Sequence, residues 1–228
     1  MYDQTVNSHN SCEALSEKKD LQAYITQTSL KHGALVVGYT KVRKTQPVIV
    51  LAFPFSNAWI LNHPFYITRR FGEELWYEHK AHGELSTLLR KEGYRCKVKS
   101  SLSVFGDIRP LAIAAGIGQW GKNGLVVNKT YGSKLLFSAL FTDAPLEATD
   151  QTSRLDLSSD SCVNCDQCFQ SCPGKAFEDG VFNPRRCFLK SIRGCSECVQ
   201  SCFGESHSEL SLIGCEYSLE NDETTCRP

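Results

Sequence analysis

The chain has 228 residues, enough to bury a sizeable core as one large domain or two smaller ones. Lysine plus arginine equals aspartate plus glutamate at 25 each, so no overall positive field exists to hold a polyanion such as DNA or RNA. No apolar run reaches the ~18 residues of a membrane helix. The first residues lack a secretory apolar core, so 12 cysteines point to a reducing cytoplasm and away from a membrane.

Residues 1–15 are polar and read as a disordered N-terminus. Leu21, Tyr24, Ile25 and Thr28 recur at helical spacing, which predicts a helix over 16–32 that Gly33 stops. Apolar runs over 34–39 and 47–53 read as strands, joined by a solvated turn. Residues 53–66 are aromatic and irregular, as in a loop that lines or lids a pocket. A long helix is expected over 73–91, with Leu75, His79, His82, Leu85, Leu88 and Leu89 on or near one face. His79 and His82 lack an evident third ligand and read as packed or pocket-facing. A strand follows over 94–103, in which Cys96 reads as a buried thiol.

Residues 109–128 hold two look-alikes. Gly116-Ile-Gly118-Gln-Trp-Gly121 matches the dinucleotide-binding glycine pattern, and Gly116 to Lys122 nearly matches a phosphate-binding loop. Both motifs need a strand entering the turn and a helix leaving it, so that a helix N-terminus faces phosphate. Here Pro110–Ala115 reads as a helix entering and Gly124–Asn128 as a strand leaving, and Asn123 stands where a serine or threonine belongs. What remains is a glycine-rich turn that lets a flat ligand approach the backbone. A strand over 135–141 completes an α/β (α+β) cofactor-binding domain over 16–147. Residues 148–160, rich in Thr, Ser and Asp, read as a linker.

Residues 161–204 carry Cys162-x-x-Cys165-x-x-Cys168-x-x-x-Cys172-Pro173, echoed by Cys187 and by Cys195-x-x-Cys198-x-x-x-Cys202. The first run has the spacing that holds iron–sulfur cubes in bacterial two-cluster ferredoxins, where the fourth cysteine serves the other cluster. This assigns Cys162, Cys165, Cys168 and Cys202 to one [4Fe-4S] cluster and Cys172, Cys187, Cys195 and Cys198 to a second. Disulfides belong to secreted chains, and zinc sites use separated C-x-x-C pairs, so both fit less well. Residues 205–228 read as a polar tail. Cys12, Cys96, Cys215 and Cys226 have no ligand pattern and are expected not to hold iron.

The order of Ala-Gly116-Ile-Gly118-Gln-Trp-Gly121-Lys122-Asn-Gly-Leu, Tyr131-Gly132-Ser133, Leu-Phe-Thr142-Asp143-Ala-Pro-Leu and the double cysteine module resembles epoxyqueuosine reductase. It resembles reductive dehalogenases more distantly. The resemblance covers about residues 20–204 and includes His32-Gly-Ala-Leu-Val-Val-Gly38. It implies a nitroreductase-like α/β sandwich that holds cobalamin, followed by a ferredoxin-like domain with two [4Fe-4S] clusters. It implies the same cysteine partition, with Arg186-Cys187 as the isolated member. It further implies corrin contacts from Gly118, Gly121, Lys122, Asn123, Tyr131, Gly132, Ser133 and Thr142. Lys122 would meet a propionamide or the nucleotide-loop phosphate; the alternative is an exposed Lys122 and glycines that only shape a turn.

Three features depart from that family. Leu102 takes the place of its catalytic aspartate, and Asp107 replaces it only after a shift. The longer members carry a C-terminal repeat domain, which is not expected in this chain, and the interval from Cys187 to Cys195 is shorter. With zero net charge, these argue against tRNA as substrate. The leading expectation is a reductase in which the clusters relay electrons from a low-potential donor, such as ferredoxin or flavodoxin, to cobalamin. Asp107 or Tyr131 would supply a proton for a small-molecule or corrinoid-protein substrate. The alternatives are an electron-transfer or corrinoid-reducing partner that turns over no substrate, and a redox-sensing module.

Overall fold

The computed structural model describes residues 8–55, 64–101, 106–149, 162, 165–178, 182–191 and 195–204. The expected tail (205–228), nearly all of the linker, Leu102, Cys215 and Cys226 lie outside the described residues.

Helix α1 (Ser8–Lys31) and helix α2 (Pro64–Lys91) both start about eight residues before the periodicity does. No Gly or Pro interrupts residues 8–31, and elongating an existing helix costs little, so α1 takes in residues that read as disordered. In α2 the first residue is Pro64, whose fixed φ and missing N–H suit a helix start. Strands β1 (Val36–Val42) and β2 (Gln46–Pro54) form an antiparallel hairpin with Val36 opposite Ala52 and Val42 opposite Gln46. Strand β3 (Cys96–Lys99) is shorter than expected and pairs antiparallel with β6 (Leu135–Thr142). The sheet order is β1-β2-β6-β3, so the architecture is α+β with antiparallel pairing.

Nearly all of β2 is buried, as its unbroken apolar run demands of a central strand. Ile25 of α1 and Ala81, Leu85 and Leu89 of α2 pack with Ile49, Leu51, Phe53 and Leu140 of the sheet. Helix α3 (Arg109–Ala114) rests on β1, because a Cβ at Gly38 would stand 2.6 Å from the Ala115 carbonyl oxygen. Gly38 is thus needed for close approach, not for flexibility. Strands β4 (Gln119–Trp120) and β5 (Val126–Val127) make a separate small hairpin. A short helix therefore enters the glycine turn and a strand leaves it, the reverse of a phosphate-binding loop.

The chain divides into two compact units that are not consecutive in sequence. Met1–Pro54, Glu73–Ile117 and Leu136–Leu155 form the first; Phe55–Gly72, Gly118–Leu135 and Asp156–Pro228 form the second. The glycine-rich segment after Ile117 therefore belongs with the cysteines, not with the sheet that precedes and follows it.

Candidate metal centre

The two cysteine motifs fold as copies of one another. Cys165 precedes helix α4 (Gln167–Gln170) and Cys195 precedes helix α6 (Glu197–Gln200), with Cys168 and Cys198 each as the second helical residue. Asp166 and Ser196 hold the same place ahead of each helix, with φ/ψ of −123°/18° and −136°/17°. Their carbonyls accept the same pair of N–H groups, Phe169 and Gln170 in one and Val199 and Gln200 in the other. The two short helices pack together, and the Ser171 and Ser201 hydroxyls meet at 2.9 Å. Each of those serines sits just before the last cysteine of its motif, Cys172 or Cys202.

The thiols fall into two sets of electrostatic neighbours. Burial, then Cys202, Cys162 and Cys165, pushes the Cys168 thiol up to about 11. Burial also raises Cys162, with Cys202 and Cys165 adding to it and the Lys122 backbone N–H pulling down. In the other set, burial followed by Cys187, Cys195, Cys168 and Cys172 raises Cys198 to about 11. Cys187 is raised by burial, then by Cys172 and Cys195. The last cysteine of each motif thus sits with the other motif's set, and Cys168 is the neighbour that reaches across.

Helix α5 (Pro184–Ser191) brings Cys187 to the second set. It lies against the turn after Cys172, where a Cβ on Gly174 would be 2.9 Å from the Arg186 carbonyl oxygen. The stacked rings of Phe169 and Phe177, 4.7 Å apart, and Phe182 beyond them fill the space between these elements. The Cys172 sulfur accepts the Ala176 N–H at 3.4 Å.

This donor set fits iron–sulfur cubes. Eight soft sulfurs with no imidazole or carboxylate among them select zinc or iron–sulfur. Four thiolates on one zinc stand about 4 Å from each other. Among the described residues no three His, Cys, Asp or Glu side chains converge on a single ion in that way. A cube places its own iron and sulfide between the thiolates, so it needs them grouped but spread. Binding also displaces protons from thiols that burial keeps protonated.

The segment Gly118–Leu135 forms a collar on these cysteines. Lys122 Nζ donates to Asp166 Oδ1 at 2.9 Å and to the Cys165 carbonyl at 3.2 Å. Asn123 Nδ2 donates to the Cys198 carbonyl at 3.3 Å and to Ser133 Oγ at 3.4 Å, with both side chains buried. Gly132 has φ +61°, and a Cβ there would stand 2.5 Å from the Cys202 carbonyl oxygen. A Cβ at Gly118 would meet the Val127 carbonyl at 2.5 Å, and one at Gly121 would strike the Val127 side chain, so both glycines close the hairpin. Lys134 lies 4.8 Å from the Phe203 ring; burial lowers its pKa and Cys202 opposes that shift. Tyr131 is half-buried, and among the described residues its hydroxyl makes no hydrogen bond.

The remaining expected residues lie in the first unit. Thr142 is buried and its hydroxyl accepts the Ala144 N–H at 3.1 Å, a local turn bond. Asp107 is gripped by Arg109 through bonds of 2.8–3.0 Å, and that guanidinium holds its carboxyl below the usual range. The ion pair favours the ionised form of Asp107. Cys96 is half-buried, with its thiol 3.9 Å from the Ser86 carbonyl. It lines a groove of about 720 Å³ with Lys41, Arg95, Thr142 and Asp143; none of the eight motif cysteines lines it.

Sequence reasoning missed a buried polar chain. Ser101 Oγ and N donate to Glu78 at 2.5 and 3.0 Å, Glu78 lies 3.8 Å from His82 Nδ1, and His82 Nε2 bonds Ser138 Oγ at 2.9 Å. The i,i+4 spacing of Glu78 and His82 on one helix was the available signal.

No protein-family model matches the chain. Over 106 residues it is 33% identical to the epoxyqueuosine reductase of Listeria monocytogenes, matching 45% of this chain and 26% of that protein. The chain thus spans about a quarter of the length of that curated relative. A crystal structure of a selenomethionine-labelled epoxyqueuosine reductase superposes on 81% of this chain and 65% of its own, with a TM-score of 0.57 at 16% identity. A reductive dehalogenase whose structure suggests a mechanism for B12-dependent dehalogenation superposes on 67% of this chain and 25% of its own, with a TM-score of 0.53 at 16% identity. At that identity the likeness is one of fold. The sequence match supports the resemblance to epoxyqueuosine reductases, and the reductive dehalogenase shares the fold.

Proposed function

We propose that the second unit binds two [4Fe-4S] clusters, one on Cys162, Cys165, Cys168 and Cys202 and one on Cys172, Cys187, Cys195 and Cys198, and that the chain is a cobalamin-dependent reductase. The observation that carries this is the sorting of the eight thiols into two sets, each completed by the last cysteine of the other motif. Such an exchange holds both cubes side by side, the arrangement that lets electrons step between them one at a time. The chain's own residues do the rest of the work. Lys122 places a positive charge beside Cys162 and Cys165 and its backbone N–H beside Cys162, which favours the reduced, more negative state of that cluster.

The cobalamin part rests on the likeness to the B12-dependent dehalogenase and the epoxyqueuosine reductases. Bound cobalamin would supply a reduced cobalt centre for the difficult bond cleavage. Gly118, Gly121, Lys122, Asn123, Tyr131, Gly132, Ser133 and Thr142 are the residues that would line its site. Tyr131 is the residue proposed to hold the proton for the product. The pairing of Asp107 with Arg109 favours, as a second reading, an electron-delivering partner without its own substrate.

Anaerobic reconstitution should load about eight irons per chain, two cubes of four. Cys168→Ser and Cys198→Ser should each lose about half, in different clusters by their EPR signals. Iron loss from Cys96→Ser, or full loading of both motif variants, overturns the assignment. Added cob(II)alamin should co-elute with the protein on desalting; if it runs free, the reductase reading gives way to the electron-delivering one.

A further inference from the structure

Helix α5 is built inside out. An amphipathic helix normally turns its apolar stripe to the core. In Pro184–Ser191, Phe188 and Leu189 are 61% and 65% exposed, among the most exposed large apolar side chains described. With Arg185 they occupy positions i, i+3 and i+4, one face of the helix. Cys187, half-buried, projects roughly opposite that face toward the second cysteine set. The apolar face is therefore separated from a cluster ligand by about one helix diameter, ~10 Å.

The charges that this helix itself carries have one sign. Residues 182–191 contain Arg185, Arg186 and Lys190 and no acid. Glu178 pairs with Arg186 at 2.9 Å, and among the described contacts Arg185 and Lys190 meet no carboxylate. Lys122, Gly132 and Lys134 of the collar lie against the loops of the first cysteine set.

We infer that the Arg185–Phe188–Leu189 face of α5 is the docking surface for an acidic one-electron carrier protein, which delivers electrons to the cluster on Cys172, Cys187, Cys195 and Cys198. The inference rests on the two-cluster reading above. A small apolar centre with a basic rim suits a transient redox encounter, which buries less than about 1,200 Å². The rim charges steer the acidic carrier and the apolar centre holds it briefly. In each encounter the reduced carrier loses one electron and the cluster gains one; no bond forms or breaks and no proton moves. Cations beside the first set then draw the electron onward.

The test follows reduction of the reconstituted protein by a photoreduced acidic [2Fe-2S] ferredoxin, with rapid-freeze EPR separating the carrier from the cubes. Phe188→Ser with Leu189→Ser, and separately Arg185→Glu with Lys190→Glu, should slow ferredoxin-driven reduction at least about tenfold. Both variants should keep full iron content and be reduced by dithionite at the unaltered rate. The unaltered protein should also lose rate as salt shortens the screening length below about 10 Å. Unchanged ferredoxin rates in the charge-reversal variant overturn the inference, as does a face covered by a second copy of the chain, seen as a dimer that only the apolar variant dissociates. Should the apolar variant fail to load iron, the charge-reversal variant decides alone. Failure of the unaltered protein to load iron sinks the two-cluster reading itself, and the inference with it.

Discussion

His82 shows what burial does to a single titrating side chain. Loss of water lowers its pKa to about 4, with the charge of His79 adding to the effect. Glu78 at 3.8 Å is too far for a strong opposing bond, so burial wins. The unfolded chain binds the proton near pH 6.5 and the folded chain only near 4, so the unfolded state holds more protons between them. Stability from a neutral His82 is complete above pH 6.5 and is lost as pH falls toward 4. Relative to His82→Gln, the unaltered protein should lose on the order of 3 kcal/mol across that window, read from denaturant midpoints at stepped pH. Parallel curves for the two proteins would refute this.

Among elements, the collar hairpin is the one whose role the structure redefines. Gly132 and Gly124 both have positive φ, +61° and +74°, but only Gly132 faces a close backbone neighbour, the Cys202 carbonyl. Gly124→Ala should therefore cost only the left-handed strain, about 1–2 kcal/mol, and keep its iron. Gly132→Ala should add a clash that moves Cys202 and should deplete the first cluster, leaving about half of the eight irons expected for two cubes. Equal iron in the two variants would show that the turn does not position Cys202. The pattern of glycines was legible in the sequence, and so was the order of helix before turn and strand after it. What the glycines approach was not, because Cys202 lies seventy residues further on and only packing brings it there.

At the scale of the molecule, one unit has an apolar core and the other gathers the motif cysteines. Ile25, Ile49, Leu51, Leu85, Leu89 and Leu140 are fully buried in the first. The second relies on short helices and a small aromatic stack, so metal binding should carry much of its folding free energy. Anaerobic chelation should strip amide protection from 118–135 and 165–204 while β1 and β2 stay protected in hydrogen exchange; loss in both at once would show a single cooperative fold. By itself the sequence determined the eight cysteines and their spacing, the buried strand β2, and the helices around it, because these depend on residue type at short separation. Tertiary structure alone decided that Lys122, Asn123 and Gly132 lie against the cysteine module, that Arg109 clamps the Asp107 carboxylate, and that α5 turns Phe188 and Leu189 outward. Those outcomes depend on which distant surfaces meet and which solvent they lose, and no local pattern encodes that.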